Sequence, residues 1–214
     1  PGPLPQPDAT FRQIIELGAK NYPLVDWHVH LKPGLGLREA LARSRRDGLY
    51  YGISANCGRQ STVSTEAAAL AFLESARGHA AYIGLQMEGA DWEQIFTPRV
   101  TSRADFLFND GLIWTDARGR WTRIYRPADL GAISNADQFM DELVDRTVHL
   151  LTRTPMDYLG IPTYLPEALL PRHEQLWTPA RMRRIVDAAV AHQVAIELND
   201  RYQMPRLPFA RMAK

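Results

Sequence analysis

From Leu24 onward the chain alternates short apolar runs with amphipathic stretches, and this alternation does most to narrow the folds open to it. Strands joined through helical crossovers run parallel, so the pattern predicts an α/β fold built on a parallel sheet. Strands are expected at 24–30, 50–56, 81–88, 105–110, 156–161 and 194–199. Between them, 37–47 reads as a helix with Leu37, Ala40, Leu41 and Ser44 on one stripe and Gly48 in the C-cap position. Thr65 is the expected N-cap of a helix through Ala76. Asp137 would cap a helix that buries Phe139, Met140, Leu143, Val144, Val148 and Leu151, and Thr178-Pro179 opens one to His192. Residues 112–130, with Trp114, Asp116, Gly119, Trp121 and Pro127, read as a long excursion over one end of the sheet. Six β/α units in 214 residues are too many for a small sheet domain, yet a complete eightfold barrel needs about 250 residues. The expectation is a distorted, incomplete (β/α)7-type, TIM-like barrel.

Residues 1–20 are expected to be an extended Pro-rich leader, PGPLPQPD, followed by a first helix, and 21–214 a single barrel domain lacking its last β/α unit. The chain opens on Pro1, so its compartment is left open: cytoplasmic, or exported if a signal peptide preceded it. Residues 208–214 read as the first turns of an amphipathic helix with no stop signal, so further sequence is expected beyond Lys214. The 25 basic and 24 acidic residues nearly cancel. That balance gives no field to attract nucleic acid or an anionic membrane, and no apolar run approaches the ~18 residues that span a bilayer. With Cys57 the single cysteine, neither an internal disulfide nor a Cys-rich metal cluster can form.

The chemistry concentrates in Leu24-Val25-Asp26-Trp27-His28-Val29-His30-Leu31. Side chains alternate across a strand, so Asp26, His28 and His30 are expected on one face and Val25, Trp27, Val29 and Leu31 on the other. Two imidazoles about 6–7 Å apart along a strand can both reach one divalent ion. If the strands form a barrel, other polar residues at their C-terminal ends converge on the same mouth: Asn56, Cys57, Glu88, Asp110, Glu197, Asn199 and Asp200. Arg59 and Arg201, just past strand ends, are candidates to clamp a phosphate or carboxylate, with Asn56 and Asn199 as further substrate contacts. Trp114, Trp121, Arg123 and Tyr125 on the excursion are candidate pocket residues. His79, His149, His173 and His192 read as surface residues.

The Asp-x-His-x-His of strand one, Gln86-Met87-Glu88-Gly89, Ala104-Asp105-Phe106-Leu107-Phe108 and Ala195-Ile196-Glu197-Leu198-Asn199 resemble, in order, the polymerase-and-histidinol-phosphatase (PHP) family. The resemblance implies a distorted seven-stranded β/α barrel and a metal-dependent phosphoesterase with up to three ions in the mouth. It implies that His28 and His30 hold one ion and that Glu88 bridges two. Asp26 would orient a ligand histidine, and Cys57, Asp110 and Asp200 are possible additional ligands. The implied cofactor is a divalent ion (zinc, manganese or iron), and the implied partner a small phosphoester. Three places where the family carries histidines read differently here: Asn56-Cys57-Gly58, Gly111-Leu112 and Ile161-Pro162. Two other readings stay open. One is an amidohydrolase-like metallo-barrel, although no lysine lies between Lys32 and Lys214; the other is a non-catalytic binding module on a degenerate PHP barrel.

Overall fold

The computed structural model describes residues 9–21, 24–89, 92–115 and 120–214; the expected leader at 1–8 lies outside them. Among the described residues the strands are β1 (Val25–His30), β2 (Tyr50–Cys57), β3 (Tyr82–Met87), β4 (Phe106–Asn109), β5 (Ile113–Thr115), β6 (Trp121–Arg123), β7 (Tyr158–Leu159) and β8 (Ala195–Ile196). The helices are α1 (Ala9–Ala19), α2 (Leu37–Asp47), α3 (Glu66–Ala76), α4 (Pro98–Thr101), α5 (Pro127–Leu130), α6 (Ala136–Arg153), α7 (His173–Leu176), α8 (Pro179–Ala191) and α9 (Leu207–Ala213). No helix is long and apolar enough to cross a membrane.

The architecture is mixed α/β, with a six-stranded sheet in the order β1-β2-β3-β4-β7-β8 and every adjacent pair parallel. The sheet curls into a half-barrel. Across its concave face the Tyr158 hydroxyl on β7 donates to the Trp27 carbonyl of β1 at 2.8 Å. The stretch expected to be an irregular excursion contains an antiparallel hairpin, β5 with β6, which sequence periodicity cannot flag in strands of three residues each.

Helix caps explain where the crossovers begin. Thr65 Oγ1 accepts from the Ala68 N–H at 3.2 Å, and Thr178 Oγ1 from Arg181 at 3.3 Å. The cap of α6 is Asn135, not Asp137: Asn135 Oδ1 accepts from the Gln138 N–H at 3.1 Å. Asp137 instead sits in the first turn, where its charge suits the helix dipole and it accepts from Arg181 of α8 at 3.1 Å. Outside the sheet, Val29, Ile53, Leu85 and Met87 pack beneath α2 and α3. A second core forms where α6 presents Met140, Leu143 and Val144 to Met182, Ile185 and Val186 of α8.

The inner face follows a different rule. Phe106, Phe108 and Tyr158 form their own buried cluster, with Phe108 and Tyr158 stacked at 4.5 Å. Phe106 lies flat across β3 and β2 because the positions beneath it are glycines. A Cβ on Gly84 would stand 2.3 Å from the Phe106 ring, and one on Gly52 would stand 3.1 Å from it. Strand β1 then breaks the expected alternation. Asp26 pairs with Tyr51 and Val29 with Ile53, so β1 carries one residue more than its neighbour, a β-bulge at Trp27-His28. The bulge sends Trp27 inward as well as His28. Expected in the outer core, Trp27 instead is 40% exposed and meets the Phe106 ring edge-on at 5.3 Å.

Gly84→Ala should therefore force the Phe106 ring out of the floor. The expected cost is about 1–3 kcal/mol or more, read from denaturant unfolding, and Phe106→Leu should recover part of it; an unchanged midpoint for Gly84→Ala would show that the floor is not packed this way.

Candidate functional site

The concave inner face of the half-barrel bounds a cavity of about 1460 Å³ that runs from the strand starts, at Val25, Tyr82, Asp105 and Ala195, to their C-terminal ends. His28, His30, Gln86, Glu88, Asp110 and Glu197 all contribute to its lining. Strand register accounts for the grouping. His30 pairs with Ser54, while Gln86 pairs with both Asn56 and Phe108, so these inward side chains occupy neighbouring steps of one surface.

The two imidazoles stand with ring centroids 5.0 Å apart at 75°, and His28 rests 4.7 Å from the Phe108 ring. Each ring is oriented through Nδ1. His28 donates to Glu197 Oε1 at 2.8 Å, and His30 donates to the Ser54 carbonyl at 3.0 Å. With Nδ1 carrying the hydrogen, the neutral ring keeps its lone pair on Nε2, the arrangement that second partners impose on metal-binding histidines. Burial opposes charge on His28, but the Glu197 carboxylate, with Asp110 and Asp26 further away, holds its pKa above the ordinary 6.5. Burial and the neighbouring His28 push His30 down to about 4. Glu197 thus favours the charged form of His28, and burial the neutral form of His30.

Glu197 does more than face His28. Its Oε1 also accepts from Asn199 Nδ2 at 2.9 Å, and its Oε2 accepts from the Ile161 N–H at 2.5 Å. Ile161 adopts φ +41°, a left-handed conformation that a β-branched residue rarely takes. Burial raises the Glu197 pKa, but the His28 hydrogen bond and charge outweigh it and leave the carboxyl below its usual range. Burial lifts Asp110 to about 6, against the pull of the Leu112 N–H on its Oδ1 at 3.0 Å. Its Oδ2 accepts from Gln86 Nε2 at 2.9 Å. The other end of that carboxamide, Gln86 Oε1, is buried with no hydrogen-bond partner. Leaving such an oxygen unpaired costs about 1–3 kcal/mol.

Several expectations need correction. Asp26 lines the cavity but orients neither imidazole: its Oδ1 accepts from the backbone N–H of His28 at 3.1 Å, and the orienting carboxylate is Glu197. Cys57 points to the outer core, fully buried, and burial pushes its thiol up to about 12, so it is no ligand for the mouth. Arg59 is exposed and lies apart from the cavity lining, whereas Arg201 and Asp200 reach the rim. Of the candidate pocket residues Trp114, Trp121, Arg123 and Tyr125, Tyr125 alone lines the cavity; Trp114 is buried against Phe139, and Arg123 is clamped to Asp129 at 2.5 Å. His173, expected at the surface, is buried and its Nε2 donates to the Thr163 carbonyl at 3.1 Å.

Glu88 does sit in the mouth, but its oxygens are engaged by protein donors. Oε1 accepts from Asn56 Nδ2 at 2.7 Å and Oε2 from the Ser61 hydroxyl. Gly58 permits this latch, since a Cβ there would fall 2.6 Å from the Glu88 carbonyl oxygen. Among the described residues, no three His, Cys, Asp or Glu side chains form a group able to hold a metal ion. The positions where ligands were expected to be replaced present Asn56, Leu112 and Ile161 to the cavity. The donors do not fit a cluster of three ions. Two imidazoles oriented through Nδ1 and the unpartnered amide oxygen of Gln86 belong to residues that line the same cavity. Sequence reasoning gave no role to Gln86; its i, i+2 spacing to Glu88 on one strand was the available signal. Compared with known protein families, curated proteins and solved structures, the chain matches none.

Because His28 is raised and Glu197 lowered, their bond stabilises the fold fully above the ordinary glutamate value of 4.5 and below the ordinary histidine value of 6.5. It is lost as pH rises through the folded pKa of His28 or falls through that of Glu197. Ring titration by NMR should show His28 protonating at higher pH than His30, and Glu197→Gln should lower His28 by about 1–3 pH units. A His28 value unmoved by that substitution would mean the pair does not exist in solution.

Proposed function

We propose that the mouth of this half-barrel is the active site of a metal-dependent hydrolase of PHP type that cleaves a small phosphoester, with one divalent ion held by His28 and His30. The observation that carries the reading is the pair of imidazoles, each fixed through Nδ1 by an acceptor, which leaves two Nε2 lone pairs on one cavity. Imidazole nitrogen suits zinc, manganese or iron better than magnesium or calcium. When bound, such an ion lowers the pKa of a coordinated water and neutralises charge on phosphoryl oxygens.

The protein's own groups would supply the rest. Glu197 fixes the plane and tautomer of His28 and holds a charge against it. Asp110, lifted by burial to about 6 and lining the same cavity, is the group proposed to exchange a proton with a leaving oxygen. Arg201 at the rim, its guanidinium 5.3 Å from the Tyr202 ring centroid, offers a planar donor to a phosphate.

A second reading, a binding module without catalysis, is favoured by Leu112 and Ile161, which bring apolar surface to the cavity where the resemblance implied ligands. Metal analysis separates the two. Protein purified without chelator should carry close to one equivalent of zinc, manganese or iron, His28→Ala and His30→Ala should lose it, and phosphomonoester hydrolysis should rise with added manganese or zinc. Unchanged metal content in both variants would sink the metalloenzyme reading, and metal without turnover would favour the binding module.

A further inference from the structure

The oriented imidazole pair leaves a divalent ion short of donors, since two nitrogens are fewer than the three protein ligands typical of an open catalytic site. No third His, Cys, Asp or Glu joins them among the described residues. Glu88, the carboxylate that the family resemblance would assign, has both oxygens engaged by Asn56 and Ser61. Another residue has an oxygen to give. Gln86 is 2% exposed, and its Oε1 is buried without a partner, although its Nε2 is well satisfied by Asp110 at 2.9 Å.

The hydrogen-bond inventory around His30 explains why that oxygen is left over. The carboxamide lies within hydrogen-bonding reach of the His30 ring. Yet the ring's Nδ1 hydrogen is committed to the Ser54 carbonyl, so a neutral His30 has none on Nε2 to donate. An unshared nitrogen pair on His30 and an unshared oxygen pair on Gln86, both acceptors, thus belong to neighbouring residues that line one cavity. Asp110 sets this polarity: by taking the Gln86 Nε2 hydrogen it turns Oε1 away from itself, and its other oxygen is held by the Leu112 N–H at 3.0 Å. Two acceptors brought together in a buried place are satisfied at once by a cation, a group that only accepts electron pairs.

We propose that the carboxamide oxygen of Gln86 is the third protein donor to the divalent ion, beside Nε2 of His28 and of His30, and that Asp110 is the positioning residue that aims it. The assignment rests on the metal-ion reading of the mouth. It makes the site a mononuclear one built from two neutral nitrogens and one neutral oxygen.

Calorimetric titration of the chelator-treated full chain with zinc or manganese chloride, and the visible spectrum of its cobalt form, test it. Gln86→Met removes the oxygen at nearly constant volume and should weaken binding by about tenfold or more, with a changed cobalt spectrum. Gln86→Glu returns an oxygen and should restore binding. Asp110→Ala should weaken binding without removing a donor, leaving the stoichiometry unchanged. If Gln86→Met fails to fold by circular dichroism, Gln86→Asn withdraws the same amide by one methylene and should weaken binding likewise. Wild-type affinity in a folded Gln86→Met or Gln86→Asn, with binding abolished in His28→Ala, overturns the role of Gln86 alone. No binding by the unaltered chain overturns it together with the metal-ion reading.

Discussion

The hydrogen bond between His28 and Glu197 is the contact on which the remaining geometry depends. It joins the first strand of the sheet to the segment that follows the last, 169 residues apart in sequence, and it does so without any backbone pairing between β1 and β8. A six-stranded sheet of ordinary twist has no reason to curl until its ends touch. Here the carboxylate of Glu197 is a common anchor for the imidazole of β1, the amide of Asn199 and the backbone of Ile161. The last of these offsets part of the strain of a β-branched residue in a left-handed conformation. One buried anion thus closes the half-barrel, shapes the loop after β7 and determines which nitrogen of His28 faces the cavity.

The curl also needs an interior that can be filled, and the filling is aromatic. Phe106, Phe108 and Tyr158 occupy the inner face below the histidines, and the two glycines opposite Phe106 remove the side chains that would collide with it. Beyond this floor β2, β3 and the strand ends that follow turn polar residues inward at Ser54, Asn56, Gln86, Glu88 and Asp110, while Leu112 and Ile161 bring apolar surface from the loops. A strand that is apolar at its start and polar at its end on the same face gives the half-barrel an aromatic floor and a polar mouth.

That gradient explains what could be read from the residues alone. The β/α alternation and the inward set on β2, β3 and β4 follow from a period of two, which local sequence displays. The bulge in β1 does not, because nothing in Asp26-Trp27-His28 marks an extra residue; it is defined by the pairing of Asp26 with Tyr51 and Val29 with Ile53. The partner of His28 was misjudged for the same reason. Asp26 is close in sequence, but a short carboxylate beside a bulge turns back on its own chain, whereas Glu197 becomes a neighbour only once the sheet has curled. Cys57 was placed in the mouth by its position at a strand end. Its parity with Ile53 and Ala55, rather than with Ser54 and Asn56, assigns it to the outer face.

Charge balance bears on what such a mouth can receive. Of its carboxylates, Glu197 is offset by the raised pKa of His28, while Glu88 and Asp110 are held by neutral donors and backbone amides. Asp200 and Arg201 at the rim roughly cancel. The protein alone therefore presents an acidic cavity, and an acidic cavity repels a phosphate. A phosphoester reading is self-consistent only if a cation enters first and reverses the local sign, and the same excess of negative charge draws that cation in. Asn56, Leu112 and Ile161, which line the cavity where the family resemblance implied histidines, are uncharged and leave this sign unchanged. Under the proposed phosphoester reading, binding of the anion would be conditional on the cation, and the two imidazoles proposed to hold that cation would control both events.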